Sequence, residues 1–204
     1  MIYGALQPCS LIDFPGKPAA VIFTQGCNFR CPFCHNPSLV LPERFSAPLA
    51  EKRVMDFLMR RRGKIEGIVI SGGEPTIHDD LIRVSRRIRA LGFSVKLDTN
   101  GSRPEMLEAI LLAECVDYIA MDVKAPPERH ALSTGSAVPF SIIEKSIALL
   151  AGSAVPHEFR TTLHPGLKQP EDIAAIAALL PADSIHRLQN FVEAPEMVGR
   201  PAAI

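Results

Sequence analysis

The fold is decided by the stretch AAVIFTQGCNFRCPFC, which runs from Ala19 to Cys34. Its first six residues are mostly apolar and include β-branched side chains, a composition typical of a buried strand. Gly26 interrupts this run, and three cysteines follow within eight residues, from Cys27 to Cys34. The stretch therefore predicts a strand that delivers a thiol-rich loop at its carboxyl end.

The pattern of a short apolar run followed by a helix recurs along the chain. Apolar runs of strand length lie at residues 19–24, 67–71, 94–99, 118–123, 158–163 and 185–191. Apolar residues at helical spacing lie between them at residues 51–61, 79–91, 104–113, 141–150 and 170–180. Such alternation predicts an α/β fold with a parallel sheet covered by helices. It fits both an open doubly wound sheet and a partial (β/α)6 barrel.

Unusual polar residues follow the predicted strands where each of them ends. They are Cys27 after the first strand, Gly72, Gly73 and Glu74 after the second, Asp98, Thr99 and Asn100 after the third, Asp122 and Lys124 after the fourth, and Arg160 and His164 on the fifth. In both architectures the carboxyl ends of the strands carry the working face. We therefore expect these side chains to lie close together around one site at the carboxyl ends of the strands.

The cysteine loop has the spacing C-x3-C-x2-C at Cys27, Cys31 and Cys34. Thiolates at such spacing select soft centres, chiefly iron–sulfur clusters or zinc. Three cysteines on a [4Fe-4S] cube leave one iron open to a chelating small molecule. A structural zinc site would need a fourth ligand, and His35 is poorly placed because it directly follows Cys34. On spacing alone the cluster is favoured, and a zinc site and buried thiols without a metal both remain open.

Composition excludes several classes of protein. The chain has 204 residues, a size that suits one domain spanning 1–204, and its five cysteines do not suggest a disulfide framework. Lys plus Arg and Asp plus Glu number 22 each, which argues against a nucleic-acid partner bound through bulk charge. No apolar stretch reaches the length of a membrane span, and no signal peptide is recognisable. A cytoplasmic protein is expected.

Two motifs, in this order, resemble the radical S-adenosylmethionine (SAM) superfamily. They are the three cysteines with the aromatic Phe33 between the last two, and the segment Gly72-Gly73-Glu74-Pro75 at the end of the next predicted strand. The resemblance covers most of the chain. It implies a partial (β/α)6 barrel of the TIM-like, radical SAM type, and so favours the barrel over the doubly wound sheet.

The resemblance also implies roles for individual residues. Cys27, Cys31 and Cys34 would hold the [4Fe-4S] cluster, and the amine and carboxylate of SAM would chelate the open iron. Contacts to SAM are implied for Phe33, Cys34, His35, Gly72, Gly73, Glu74, Asp98, Thr99, Asn100, Asp122, Lys124, Arg160 and His164. By similarity to pyruvate formate-lyase activating enzymes, Asp98, Thr99 and Asp122 would hold a monovalent cation.

The segments at residues 6–17 and 23–37 narrow the resemblance further, to the activating proteins of anaerobic ribonucleoside-triphosphate reductase. Such an enzyme cleaves SAM reductively to a 5′-deoxyadenosyl radical and generates a glycyl radical on a partner enzyme. A flavodoxin- or ferredoxin-type protein would supply the electron. Two alternatives stay open: a radical SAM enzyme acting on a small molecule, such as a 7-carboxy-7-deazaguanine synthase, and an iron–sulfur electron-transfer module without catalysis.

Overall fold

A computed structural model describes residues 1–164 and 170–199 of the chain, which contain one seven-stranded sheet. The strands are β1 (Tyr3–Ser10), β2 (Ala19–Thr24), β3 (Gly67–Gly72), β4 (Ser94–Thr99), β5 (Tyr118–Asp122), β6 (His157–Leu163) and β7 (His186–Asn190). They lie side by side in chain order. β1 runs antiparallel to β2, and every later neighbour is parallel.

This strand order distinguishes the two predicted architectures. A doubly wound sheet reverses its direction of growth at a switch point. Here each new strand is added on the same side, so crossovers of one hand curve the sheet continuously. Among the described residues β7 does not pair with β1, so the barrel stays open. The predicted partial (β/α)6 barrel is confirmed, with β1 as an added antiparallel strand.

The helices lie in the connections between strands. They are α1 (Pro37–Val40), α2 (Glu51–Arg61), α3 (Leu81–Ala90), α4 (Pro104–Leu112), α5 (Pro127–Thr134), α6 (Phe140–Ala151) and α7 (Pro170–Leu179), with short 3-10 turns at Pro42–Arg44 and Pro75–Ile77. α3 is representative, because it buries Leu81, Val84 and Ile88 at a spacing of three and four residues. No helix in the described part of the chain is long and apolar enough to cross a bilayer.

The apolar core has two parts, one on each face of the sheet. The larger part packs the helices against outward-facing strand residues such as Ile22, Ile70 and Leu97. The smaller part fills the barrel interior with Phe14, Ala19, Val21 and Val69. Because both faces of β2 and β3 are covered, these two strands read as nearly continuous apolar runs rather than alternating ones.

The sequence prediction missed β1, α5 and the four-residue helix α1, which is too short to show an apolar period. β1 contains Pro8, which argues against a central strand, and the structure places β1 at the sheet edge. α5 has only eight residues, too few for a clear apolar period, although it carries Pro127 at its start and ends before Gly135 at φ 55°. The predicted ends also shift slightly: β5 ends at Asp122 rather than Val123, and β6 begins at His157 rather than Glu158.

Candidate active site

A cavity of about 250 Å³ opens at the carboxyl ends of the parallel strands. Its lining includes the predicted residues Cys27, Cys31, Phe33, Cys34, His35, Gly72, Gly73, Glu74, Asp98, Thr99, Asn100, Asp122, Lys124 and Arg160. Phe29, Asn36, Val40, Ser71 and Thr162 complete the described wall. His164 is the predicted site residue outside this lining. The polar residues predicted at the strand ends therefore lie around one cavity, with the exception of His164.

The cysteine loop begins directly after β2 and turns into the cavity. Cys31 is buried, while Cys27 and Cys34 are half-buried, and all three are free thiols. Burial raises the pKa of Cys27 to about 12 and that of Cys31 to about 11. Both groups are therefore protonated at neutral pH without a metal, and metal binding must release their protons.

The donor set fits a cluster better than a single metal ion. In the part of the chain that the structure describes, no three His, Cys, Asp or Glu side chains are grouped as ligands of one ion. Around a [4Fe-4S] cube each thiolate binds a different iron, so the sulfurs stand farther apart than around zinc. Three thiols at the spacing C-x3-C-x2-C match three irons of such a cube and leave its fourth iron open.

Gly72 and Gly73 bring the end of β3 against the start of the cysteine loop. The Gly73 amide donates to Thr24 O at 2.9 Å, and the Glu74 amide donates to Gly26 O at 2.8 Å. A Cβ at Gly73 would lie 1.9 Å from Gly26 O, and one at Gly72 would lie 2.4 Å from Thr24 N. These glycines therefore permit a close approach of two protein backbones, in addition to any approach of a ligand.

Glu74 links the ends of two strands through a fully buried carboxylate. Its Oε1 accepts from the Thr76 amide at 3.1 Å and the Thr99 hydroxyl at 2.7 Å, and its Oε2 accepts from the Asn100 amide at 2.7 Å. Burial raises the pKa of Glu74, although these donors oppose the shift. Because both oxygens are engaged within the protein, Glu74 holds the site in shape.

Asn100 continues this network to the cysteine loop. Its Nδ2 donates to Asn28 Oδ1 at 3.1 Å and lies 4.0 Å from Cys27 Sγ. Asn28 in turn donates to the Ser102 hydroxyl at 2.7 Å. Asn28 and Ser102 were missed by the sequence analysis, although the position of Asn28 inside the cysteine motif could have marked it.

Four charged residues line the opposite wall. The Arg160 Nε donates to Asp122 Oδ1 at 2.7 Å, and the Lys124 Nζ donates to Asp122 Oδ2 at 2.8 Å. Burial alone would raise the pKa of Asp122, but the adjacent Arg160 and Lys124 cations lower it below its ordinary value. Asp98 lies 3.4 Å from Arg160 Nη1 and accepts from the Ser71 hydroxyl at 3.0 Å.

His164 contacts the cavity indirectly, through Phe33. The two rings are stacked, with centroids 4.0 Å apart and planes 14° from parallel. β6 ends at Leu163, so His164 leaves the strand alternation that would have put it beside Arg160. Burial and the Lys124 charge lower the pKa of His164 to about 4. One face of Phe33 is thus covered by a neutral imidazole.

Two further segments hold the cysteine loop from outside. The Arg30 amide donates to Thr134 O at the end of α5, at 2.7 Å. The amides of Val198 and Gly199 donate to Cys34 O at 3.1 Å and Pro32 O at 3.0 Å. The sequence carries no motif for these backbone contacts, since any residue except proline could make them.

Fold and site together define a barrel enzyme with a three-thiol loop and a polar cavity at the carboxyl ends of its strands. The family model of the Radical SAM superfamily matches residues 21–180, so the chain belongs to that superfamily. Its enzymes use a [4Fe-4S] cluster and SAM.

Several proteins of known name are similar to this chain in sequence. A Methanocaldococcus jannaschii protein, provisionally named a glycyl-radical enzyme activating enzyme, is 36% identical over 89% of this chain and 76% of its own length. A Listeria monocytogenes pyruvate formate-lyase-activating enzyme is 32% identical over 66% of this chain and 58% of its own length. A 7-carboxy-7-deazaguanine synthase of Methanopyrus kandleri is 26% identical over 88% of both chains.

Solved structures agree on the fold. A structure of anSMEcpe with bound AdoMet gives a TM-score of 0.66 at 15% identity, covering 83% of this chain and 48% of that one. Streptococcus suis SuiB bound to S-adenosylmethionine gives 0.65 at 17% identity, covering 87% and 41%. This chain spans about half or less of those proteins. At such identities the likeness concerns the fold alone.

The residues present fit the cluster and SAM. Three thiols face one cavity, which matches a cube bound at three irons. Gly72 and Gly73 line the cavity with backbone that is partly exposed, so main-chain groups are available to a ligand there. Lys124 and Arg160 put positive charge on that wall, which suits the carboxylate of an amino-acid ligand.

Proposed function

We propose that this protein activates a glycyl-radical enzyme, with anaerobic ribonucleoside-triphosphate reductase as the partner. The observation that carries the proposal is the 36% identity, over most of both chains, with the Methanocaldococcus jannaschii protein of that provisional name. The Listeria monocytogenes pyruvate formate-lyase-activating enzyme supports the same reaction class. The reductase itself is inferred from the motif around residues 6–17 and 23–37.

The open barrel supports a protein substrate. In the described residues β7 ends the sheet without a further neighbour, and its residues are half-buried to exposed. A backbone glycine can be reached only if its loop enters the enzyme, so a laterally open wall suits a macromolecular partner better than a closed barrel. The prediction that residues 1–204 form one domain is kept as part of the proposal, with residues 165–169 and 200–204 outside the described structure.

We assign the cluster to Cys27, Cys31 and Cys34. When bound, cluster and SAM supply one-electron cleavage: one electron and one SAM are consumed, methionine and 5′-deoxyadenosine are released, and the partner glycine loses a hydrogen atom. The chain's own residues hold and shield the site. Phe29, Phe33 and Val40 contribute apolar wall that excludes water.

The polar wall serves to orient SAM in this proposal. Lys124 and Arg160 face its carboxylate, while Gly72 and Gly73 offer backbone to its amine. Glu74 and Asn100 hold these elements in register through the hydrogen bonds already described. His164 supports the ligand site by stacking on the ring of Phe33.

The test is anaerobic reconstitution with iron and sulfide, reduction, and incubation with SAM and the candidate reductase. Electron paramagnetic resonance should show a radical doublet on the partner, and the partner with its glycine changed to alanine should not show it. Cys31→Ala should lose both the cluster and 5′-deoxyadenosine formation. SAM cleavage that leaves no radical on any glycyl-radical partner would contradict the proposal.

A small-molecule substrate is the second candidate, favoured by the likeness to the Methanopyrus kandleri 7-carboxy-7-deazaguanine synthase. The same reconstituted protein decides between them. If 5′-deoxyadenosine formation depends on a deazapurine precursor and not on a partner protein, the second candidate replaces the first. If the cluster spectrum is present without any SAM cleavage, an electron-transfer module replaces both.

A further inference from the structure

Arg160 lies between two carboxylates of the cavity wall. Its Nε donates to Asp122 Oδ1 at 2.7 Å, and its Nη1 lies 3.4 Å from Asp98 Oδ2. The side chain is 14% exposed. Arg160 pairs with Asp122 in the register of β5 and β6, and Asp98 lies on β4, so one guanidinium joins three neighbouring strands.

Each carboxylate has a second cation on its other oxygen. Lys96 Nζ lies 3.1 Å from Asp98 Oδ1, and Lys124 Nζ lies 2.8 Å from Asp122 Oδ2. The order along this chain of charges is Lys96, Asp98, Arg160, Asp122 and Lys124. It alternates in sign and carries one more positive than negative charge. Each aspartate carboxylate therefore lies between two protein cations, although Asp98 Oδ1 accepts no hydrogen bond from the described residues.

This arrangement differs from the monovalent cation site implied by Asp98, Thr99 and Asp122. A bound cation requires converging oxygens with free lone pairs. The Thr99 hydroxyl instead donates to Glu74 at 2.7 Å and accepts from the Gly101 amide at 3.2 Å. The guanidinium of Arg160 bridges the two aspartates, where a metal cation would otherwise balance them.

We propose that Arg160 is a built-in counter-cation that ties Asp98 to Asp122 and makes SAM binding by this chain independent of K⁺ and Na⁺. Arginine suits the role because its planar fork addresses two carboxylates at once and stays charged at every relevant pH. Besides facing the ligand carboxylate itself, Arg160 thereby fixes Asp122, which in turn holds Lys124 toward that carboxylate. This inference concerns SAM binding and goes beyond the proposed function, because it holds for either substrate class.

The test measures SAM affinity by anaerobic titration calorimetry of the reconstituted full-length protein. It is run at equal ionic strength in potassium, sodium and choline chloride, since choline is too large to replace a bound ion. The wild-type dissociation constant should agree within about twofold across the salts, which is near the error of such measurements. Binding about tenfold tighter in potassium or sodium than in choline would overturn the proposal.

Arg160→Met removes the bridge and leaves two buried carboxylates with fewer cations. Its affinity for SAM should fall about tenfold or more in choline chloride and recover in part with potassium. Arg160→Lys keeps the positive charge but lacks the planar guanidinium, so its affinity for SAM should lie between those of the wild type and Arg160→Met. Arg187→Met is the matched control, because Arg187 also pairs with a carboxylate, Glu158, on an adjacent strand but does not line the cavity.

Stability supplies a readout that does not depend on SAM. The unfolding midpoint of Arg160→Met should be higher in potassium than in choline chloride, and that of the wild type should not differ. Equal midpoints for Arg160→Met in both salts, with unchanged SAM affinity, would overturn the proposal. If Arg160→Met does not fold, the SAM affinities of the wild type and of Arg160→Lys are compared across the same three salts. An affinity that is independent of the salt in the wild type but dependent on it in Arg160→Lys supports the bridge. Any other pattern refutes the proposal.

Discussion

At Gly73 the absence of one methyl group sets the distance between two loops of the site. The Gly73 amide is bonded to Thr24, and the next amide is bonded to Gly26, so the segment after β3 lies directly on the start of the cysteine loop. A Cβ there would lie 1.9 Å from Gly26 O, a distance that no side-chain rotation can relieve. The glycine is needed for space rather than for an unusual backbone angle.

Gly73→Ala should therefore destabilise the fold by about 1–3 kcal/mol or more, the usual cost of overpacking, and lower iron retention after reconstitution. Urea unfolding and iron analysis measure the two effects. Gly152→Ala is the control, since Gly152 has φ −84° and its added Cβ would meet nothing closer than 3.5 Å. Equal stability of the two variants would show that the loops separate without cost.

His164 makes a pH prediction at the same scale. Its folded-state pKa of about 4 lies below the ordinary value of 6.5, so the unfolded chain binds the proton more tightly. Stability should be fully present above pH 6.5 and fall as the pH drops toward 4, by on the order of 2–3 kcal/mol from this group. Unfolding free energies across that range measure it. His164→Phe keeps the ring stack, and an undiminished slope in that variant would refute the assignment.

At the scale of elements, the cysteine loop is held by segments far from it in sequence. The Thr134 carbonyl at the end of α5 accepts a hydrogen bond from the Arg30 amide. The next residue, Gly135, packs so closely against the loop that a Cβ there would lie 2.7 Å from Arg30 O. Segment 191–199 crosses the other side, with the Phe191 ring 5.6 Å from the His35 ring. The loop contributes thiols, and these neighbours supply its rigidity.

Val198→Pro tests the contribution of segment 191–199, because proline removes the amide that donates to Cys34 O. Losing one such bond, worth about 1 kcal/mol, should speed loss of the cluster in air by about fivefold. The decay of the visible absorbance of the reconstituted protein measures the rate. Val198→Ala keeps the amide and should decay as the wild type does; equal rates for proline and alanine would exclude the contact.

At the scale of the whole molecule, burial decreases from the centre of the sheet to its open edge. β2 and β3 are almost wholly buried, whereas β7 is half-buried to exposed along its length. The core around Ile22, Ile70 and Leu97 therefore covers one side of the barrel much better than the other. Local opening should begin at β7.

Hydrogen exchange tests this gradient on the reconstituted protein. Amides of β3 and β4 should exchange only through global unfolding, and amides of β7 about 100-fold faster or more, since few buried contacts resist their opening. Mass spectrometry of peptides covering residues 67–72, 94–99 and 186–190 measures the rates. Equal protection of β7 and β4 would show that the described edge is covered in solution.

Local patterns in the amino-acid sequence were enough to predict the parallel strands, most helices, the three-thiol loop and the polar residues at the strand ends. These follow from local rules: apolar period, ligand spacing, and the fact that parallel strands end on one side. Superfamily membership and the cofactors implied by the two motifs were confirmed, while the partner, the electron donor and the cellular location stay predictions.

The contacts that give each polar residue its role are visible only in the packed fold. It assigned Glu74 to Thr99 and Asn100, Arg160 to Asp98 and Asp122, and His164 to Phe33. It also put α5 and segment 191–199 on the cysteine loop. Such pairings join residues tens of positions apart and depend on the curvature of the sheet and on side-chain direction. Neither quantity is encoded in the local pattern of a single strand or helix, because both arise only when the elements pack together.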